Sequence, residues 1–294
     1  VMKKIACFAF LLTLSTQLFA ETIVLPRQQS SSDTSFDYRV KLLKLALSKS
    51  KTPYEVTFSE ELLTQGRAMR LLNKGKVDVV MAGPTQDREA LYRAIHIPLM
   101  KGLLGHRVFI INKSKLATFE KLTRPEELQE LNACQGLHWP DSDILDVNGF
   151  KVSRVLNFES MFSMVDEGNC DYFPRSIIEG YSEIEAYNKA NPESNLVLFD
   201  NIILKYKFPL YYFTSRSNEK LAKTIEYGLL TAMKDGSFAK LMQEHTTTSH
   251  IYPLEQWNAK TFIELENPLL PFNTPINNES MWLDLKESSG QSQK

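Results

Sequence analysis

Cysteine is scarce in this 294-residue chain. The three present, Cys7, Cys134 and Cys170, are too few for a disulfide scaffold, and no two sit at zinc-finger spacing. Neither charge sign dominates. Lys+Arg number 34 against 35 Asp+Glu, so no basic surplus exists to neutralise a phosphate backbone, which argues against a nucleic-acid partner. Gly (12) and Pro (13) are too sparse for collagen-like or low-complexity material. There is no GxSxG elbow, no GxxxxGKS/T loop and no HExxH helix, so no cofactor is implied. His245 and His250, the closest of the five histidines, are not spaced for one helical face and suggest no metal site. Acidic pairs such as Glu60-Glu61 and Glu126-Glu127 read as solvated helix ends and not as catalytic dyads.

What is present is ordinary for a soluble globular chain, 43% hydrophobic and 23% charged, with material for one large domain or two of usual size. The first twenty residues stand apart. Lys3 and Lys4 precede an apolar run, Ile5 to Leu14, and then a more polar stretch ending in Ala20. That is the pattern of a bacterial secretory signal cleaved after Ala20. The run is shorter than the ~20 residues a membrane helix needs, and no later segment reaches that length without charges. Cys7 lies too early to be a lipidation site, so a periplasmic, unlipidated protein is expected. In that oxidising compartment Cys134 and Cys170 can pair.

From Glu21 onward, strand and helix patterns alternate. ETIVLP (21–26) reads as a short buried strand, and 36–50 carries apolar residues that fit a helix on a sheet. Residues 54–58 alternate as a strand, 64–73 suit a helix, and KVDVVMA (76–82) is a further strand. The order predicts an α/β fold with a mostly parallel sheet covered by helices. It repeats beyond HRVFIIN (106–112). Pro125 takes a first helical position, short strands fall near 133–138, 151–156, 169–173 and 196–199, and helices near 143–147, 157–167 and 176–190. KFPLYYFT (207–214) is strongly β-prone, and two helices follow over 219–234 and 237–245, broken at Asp235-Gly236. From Ile251 the chain becomes proline-punctuated, with Pro253, Pro268, Pro271 and Pro275, and reads as an extended strap. Lys286 to Lys294 is polar and reads as disordered.

Three segments carry a resemblance. KVDVVMAGPTQDRE (76–89) resembles the strand, small-residue loop and T-x-x-R of extracellular solute-binding proteins, family 3. HIPLMKGLLGHRVFIIN (96–112) is similar to that family's first interlobe crossover, and YGLLTAMKDGSFAKLMQEH (227–245) to its C-terminal helices. The resemblance spans roughly 21–250. It implies a two-lobe, type 2 periplasmic binding fold, each lobe a mostly parallel sheet flanked by helices, with a ligand cleft between them. One lobe would comprise 21–105 with 206–294, the other 106–205. It also makes the strands bearing Cys134 and Cys170 neighbours, which favours a disulfide.

The site follows from the same resemblance. Arg88, three residues after Thr85, takes the position whose guanidinium holds a ligand carboxylate in amino-acid-binding relatives, and a planar donor fork suits that partner. Thr85 would add a hydroxyl. In CDYFPRS (170–176) the acid those relatives use for the ligand ammonium is missing, and Arg175 stands in the loop instead. It either faces the cleft, favouring an anionic ligand, or pairs with Glu179 four residues on. In HWPDS (138–142), Trp139 could stack on a ligand, and Ser142 with nearby backbone N–H groups could bind an anion. Asp141 either caps the next helix or replaces the missing ammonium partner. Asp33, Ser31, Ser32, Gln65 and Arg67 border the cleft in the family fold, and Tyr206 would lie at the second crossover.

These readings lead to a monomeric, non-enzymatic solute-binding protein. It captures a small polar, anionic or amino-acid-like ligand by hinge closure and serves an ABC transporter permease or a membrane sensor. Two alternatives stay open: a dehydratase- or hydrolase-like enzyme on the same fold, with Asp141 or His138 as acid or base, and a signalling module without a small ligand.

Overall fold

Residues 20–28, 33 and 35–285 are described by the structure, a computed structural model. The expected signal segment apart from Ala20, together with Ser31, Ser32 and the polar tail 286–294, lies outside the described residues. In chain order the elements begin β1 (Glu21–Leu25), α1 (Ser35–Ser48), β2 (Tyr54–Phe58), α2 (Gln65–Leu72), β3 (Val80–Ala82), α3 (Gln86–Leu91), β4 (Arg93–Ile95). Then come β5 (His106–Asn112), α4 (Leu116–Phe119), α5 (Pro125–Gln129), β6 (Asn132–Gly136), α6 (Pro140–Val147), β7 (Lys151–Val155), α7 (Phe158–Asp166), β8 (Tyr172–Ser176). The chain finishes with α8 (Gly180–Ala190), β9 (Leu196–Lys205), β10 (Tyr211–Thr214), α9 (Glu219–Lys234), α10 (Ser237–Glu244) and β11 (Thr261–Glu264).

Two bodies result. In one, β1 pairs with β2, and β10 lies between β3 and β4. The Asp78 carboxylate accepts from the Val24 N–H at 2.8 Å, which ties β1 to the approach to β3. The other body is a six-stranded sheet in the order β11-β9-β5-β8-β6-β7. The strands nearest the crossovers run against their neighbours: β5 is antiparallel to β8 and β9, and β10 to β3 and β4, whereas β1–β2, β6–β7, β6–β8 and β11–β9 are parallel.

Helical periodicity explains how the first body closes. α1 buries Tyr38, Leu42, Leu43, Ala46 and Leu47, and α9 buries Leu221, Ala222, Ile225, Gly228, Leu229 and Ala232, each a stripe on one helix face. The stripes meet closely, since a Cβ on Gly228 would lie 2.0 Å from the Ala46 carbonyl oxygen. α9 starts on the Asn218 side chain, which accepts the Leu221 N–H at 3.3 Å. It ends at Asp235, where the expected break occurs: Gly236 has φ 81°, and Asp235 accepts from the Ser237 N–H and Oγ at 3.0 and 2.6 Å.

The chain passes between the bodies twice, at Gly105–His106 and Lys205–Tyr206. The two passages touch through a Tyr206 N–H to Gly105 carbonyl bond of 3.0 Å. A Cβ on Gly105 would sit 1.9 Å from the Tyr206 oxygen, so glycine permits the approach. The strap differs from the sequence expectation. It does not stay with the first body: β11 adds a parallel edge strand to β9, and the chain then returns to bond Leu283 N–H to the Lys101 carbonyl at 2.8 Å. A strand of four residues needs a free sheet edge, and β9, ten residues long against a four-residue sequence signal, offers one.

Cys134 on β6 and Cys170 just before β8 form a disulfide with Cα atoms 5.7 Å apart. The strands that carry them are neighbours, registered at Ala133 and Tyr172. That parallel ladder extends over one pair, and Pro174, without an N–H, cannot prolong it.

Candidate functional site

A cavity of about 190 Å³ lies between the two bodies. The first contributes the β1–α1 connection (Arg27, Gln28, Asp33), Phe36 and Arg39 of α1, and Gln65 of α2. The second contributes Arg107 of β5, Trp139 and Asp141 at the start of α6, Phe158 of α7, Arg175 of β8, Glu179 just before α8 and Glu183 within it. Phe208 and Leu210, just past the second crossover, complete the wall.

The cavity holds three arginines already engaged by carboxylates. Arg107, the second residue of β5 and 1% exposed, makes an ion pair with Asp141 and donates from Nε to the Tyr206 hydroxyl at 2.9 Å. Tyr206 in turn donates to Asp141 Oδ1 at 2.5 Å. Burial works against the Arg107 charge, but the fields of Asp141 and Tyr206 outweigh it and raise its pKa, while burial pushes the Tyr206 hydroxyl well above its ordinary value. Arg175 is clamped bidentately by Glu183, with Nε and Nη2 each 2.6 Å from a carboxylate oxygen, and Glu179 lies 3.1 Å from Nη2. Its guanidinium also stacks within 5.0–5.5 Å of Trp139, Phe158 and Phe173. Burial disfavours this charge too, and Glu179 and Glu183 more than compensate. Glu183, 0% exposed, is pushed up to about 7 by burial, with Arg175 pulling the other way. Across the cavity Arg39 Nη2 contacts both Asp33 oxygens at 2.7 and 2.5 Å.

Asp33, Trp139, Asp141 and Arg175, all anticipated from sequence, therefore gather in this cavity. Asp141 is not a mere helix cap, since it balances Arg107. Arg175 lines the cavity and is also paired with Glu179. The other four expected residues sit differently. Thr85 caps α3, its Oγ1 accepting the Arg88 N–H at 3.1 Å. The Arg88 guanidinium is outside the lining and donates to Gly83 O (2.5 Å), Gln65 Oε1 (2.9 Å) and, across the cleft, His138 O (3.2 Å). Burial lowers its pKa. Ser142 is fully buried and donates to the Gly136 carbonyl at 2.7 Å, closing the turn into α6. Arg67 projects to solvent, 2.6 Å from Glu61, while its neighbour Gln65 lines the cavity.

Sequence reasoning passed over Arg39, Arg107 and Glu183. Arg107 had a readable signal, a cation within the apolar run HRVFIIN, which must find a buried counter-charge. Glu183 had none, because a glutamate eight residues past Arg175 looks like any polar helix position.

Two lobes joined by two crossovers, with a lined cleft between them, constitute the type 2 periplasmic binding fold, and this chain has it. The probable amino-acid ABC transporter extracellular-binding protein of Bacillus subtilis matches it with a TM-score of 0.58 and 13% identity, over 79% of this chain and 100% of that one. An ancestral arginine-binding protein bound to arginine gives 0.56 at 18% identity, over 77% and 98%. A histidine kinase sensor domain similar to periplasmic binding proteins gives 0.54 at 14% identity, over 76% and 93%. No family sequence model matches the chain, and no curated protein does. Among the described residues no helix is long and apolar enough to cross a membrane.

Proposed function

We propose that this protein is a periplasmic solute-binding protein, exported by residues 1–20, that captures a small amino-acid-like ligand by hinge closure. One lobe would comprise 21–105 with the chain from 206 onward apart from β11, and the other 106–205 with β11 added to its sheet, the two rotating about the contact between Gly105 and Tyr206. The observation that carries the reading is the cavity itself, lined from both lobes by buried charged groups with valences left over. Among the described residues, the buried Arg39 Nε donates no hydrogen bond and Glu179 Oε2 accepts none. A donor and an acceptor together suit a zwitterion better than a plain anion, because every buried cleft arginine already has a carboxylate partner. In this reading Arg88 and Thr85 act at the rim, where Arg88 latches one lobe to the other through His138, and Trp139 supplies an apolar wall. No covalent step is required of the site, and the chain works as a monomer.

Delivery to an ABC-type permease and service to a membrane sensor use the same closure, and the structural neighbours include a protein of each kind. The test is a thermal-shift screen of residues 21–294 against amino acids, dicarboxylates, small peptides and sugars. A ligand present at 100 times its Kd stabilises by about 2.7 kcal/mol. A hit abolished by Arg107→Ala or Arg175→Met in a still-folded variant is the expected result. A hit unaffected by both would place binding elsewhere, and turnover of the hit would replace this reading with an enzyme.

A further inference from the structure

Side chains at the two crossovers face opposite ways in turn. Arg107 and Phe208 line the cavity, and Tyr206 reaches Asp141 and Arg107 there. The residues beside them meet the C-terminal strap instead. The His106 ring packs edge-on against Phe262 with centroids 6.3 Å apart, and the Lys207 ammonium lies 4.7 Å from the centre of the Trp282 ring. Lys205 pairs with a carboxylate from each end of the strap, Asp284 at 3.0 Å and Glu264 at 3.5 Å. Adjacent side chains of an extended chain point to opposite sides, so strap and cleft lie on opposite faces of the hinge. The strap is seated at both ends. In the second lobe β11 joins β9, and the Leu265 N–H extends that ladder to the Lys205 carbonyl at 2.8 Å. In the first, Trp282 covers Gly102 so closely that no Cβ fits beneath its ring. The Leu283 N–H donates to the Lys101 carbonyl at 2.8 Å, and Lys101 Nζ donates to the Ser280 carbonyl at 3.0 Å. Between the ends, Trp282 Nε1 donates to the Pro275 carbonyl at 2.8 Å, which folds the proline-punctuated segment back on itself.

We propose that this strap is a brace across the back of the hinge, fastened at Lys205 and Trp282, that holds the lobes towards closure and limits how far the cleft opens. This rests on the hinge-closure reading and names what regulates it. The seated strap coexists with bonds across the cleft, from Arg88 to the His138 carbonyl at 3.2 Å and from Ser35 Oγ to Glu179 Oε1 at 3.3 Å. The pivot at Gly105 and Tyr206 lies between cleft and strap, so opening the cleft drives the two ends of the strap together. Those ends already meet on one lysine and pack against the crossovers. Opening must therefore unseat Trp282 or disturb the pairing of β11 with β9, because packed groups do not compress. The brace lowers the open population of the free protein, and a ligand has correspondingly less closure to drive.

The experiment measures lobe separation by double electron–electron resonance in residues 21–294, with spin labels on Leu62→Cys and Leu156→Cys, exposed positions of the first and second lobe. Two brace variants, Glu264→Gln/Asp284→Asn and Trp282→Ala, are compared with the unaltered strap, and Arg88→Ala removes the latch on the cleft side. Both brace variants should show longer separations, with an open population larger by about fivefold or more. Melting temperatures show which variants fold, and Glu264→Gln/Asp284→Asn, which removes charge without removing packed volume, keeps the test readable if Trp282→Ala does not. Unchanged separations in the folded brace variants, with Arg88→Ala opening the cleft, would overturn the brace and leave hinge closure standing. Shorter separations would make the strap a prop that holds the lobes apart and would overturn the brace equally. Separations that no variant alters, Arg88→Ala included, would bring down the hinge reading with it.

Discussion

At the scale of single residues, the buried ion pairs are structural commitments as well as binding groups. Arg107 is buried with Asp141 as its only carboxylate partner among the described residues. Asp141→Ala leaves that guanidinium uncompensated, and we expect a loss of roughly 3–5 kcal/mol in a urea titration, with Arg107→Met/Asp141→Leu recovering much of it. A single variant that loses under 1 kcal/mol would show that the pair is not held in solution. Glu183 gives a pH signature. Its folded-state value of about 7 exceeds the ordinary glutamate value of 4.5, so the native state retains a proton that the unfolded chain releases between those limits. Its contribution is therefore most favourable below pH 4.5, declines as pH rises through 4.5–7 and is flat above. Melting temperatures at pH 5 and pH 8 should differ more in favour of pH 5 for the wild type than for Glu183→Gln. Equal differences would mean that the Arg175 field holds Glu183 ionised throughout.

At the scale of elements, the second lobe is pinned where its sheet is weakest. β6 and β8 share a single registered pair, and the Cys134–Cys170 disulfide, closing a loop with a sequence separation of 36, lies beside it. A loop of that length corresponds to roughly 3–4 kcal/mol of unfolded-state entropy. Cys134→Ser/Cys170→Ser should lower stability by about that amount while α1 and α9, packed in the other lobe, keep their hydrogen-exchange protection. Loss of protection in α1 and α9 as well would show that the two lobes unfold as one unit. The helices were the readable elements. α9 and α10 were expected over 219–234 and 237–245 and are found over Glu219–Lys234 and Ser237–Glu244, because asparagine cap, apolar stripe and Asp-Gly break are all local signals. β4 and the length of β9 were not readable, because short strands owe their existence to distant partners. β4 pairs with β10, more than a hundred residues away.

At the scale of the whole molecule, the hinge is the narrowest point. Gly105 lets the two crossovers touch, and a methyl group there must displace the Tyr206 carbonyl. Gly105→Ala should lower the melting temperature, with a cost of about 1–3 kcal/mol, and enlarge the unliganded radius of gyration in X-ray scattering. An unchanged melting temperature and radius would show that the crossovers separate freely. The strap belongs to this scale as well. By pairing β11 with β9 in one lobe and returning Leu283 to Lys101 at the base of the other, it links both sides of the hinge.

Local patterning carries the alternation of strands and helices, the helix break at Asp235-Gly236 and the segments that resemble family 3 solute-binding proteins, because each depends on residues within one or two turns of one another. That resemblance also brought Asp33, Trp139, Asp141 and Arg175 to notice. Proximity in space carries the rest. Glu183 reaches Arg175, Asp141 neutralises Arg107 from 34 positions away, Arg88 turns from the cavity to bridge the lobes, and the strap divides between two sheets. A buried charge takes the nearest available counter-charge once the sheets have formed, and no spacing along the chain specifies which one that will be.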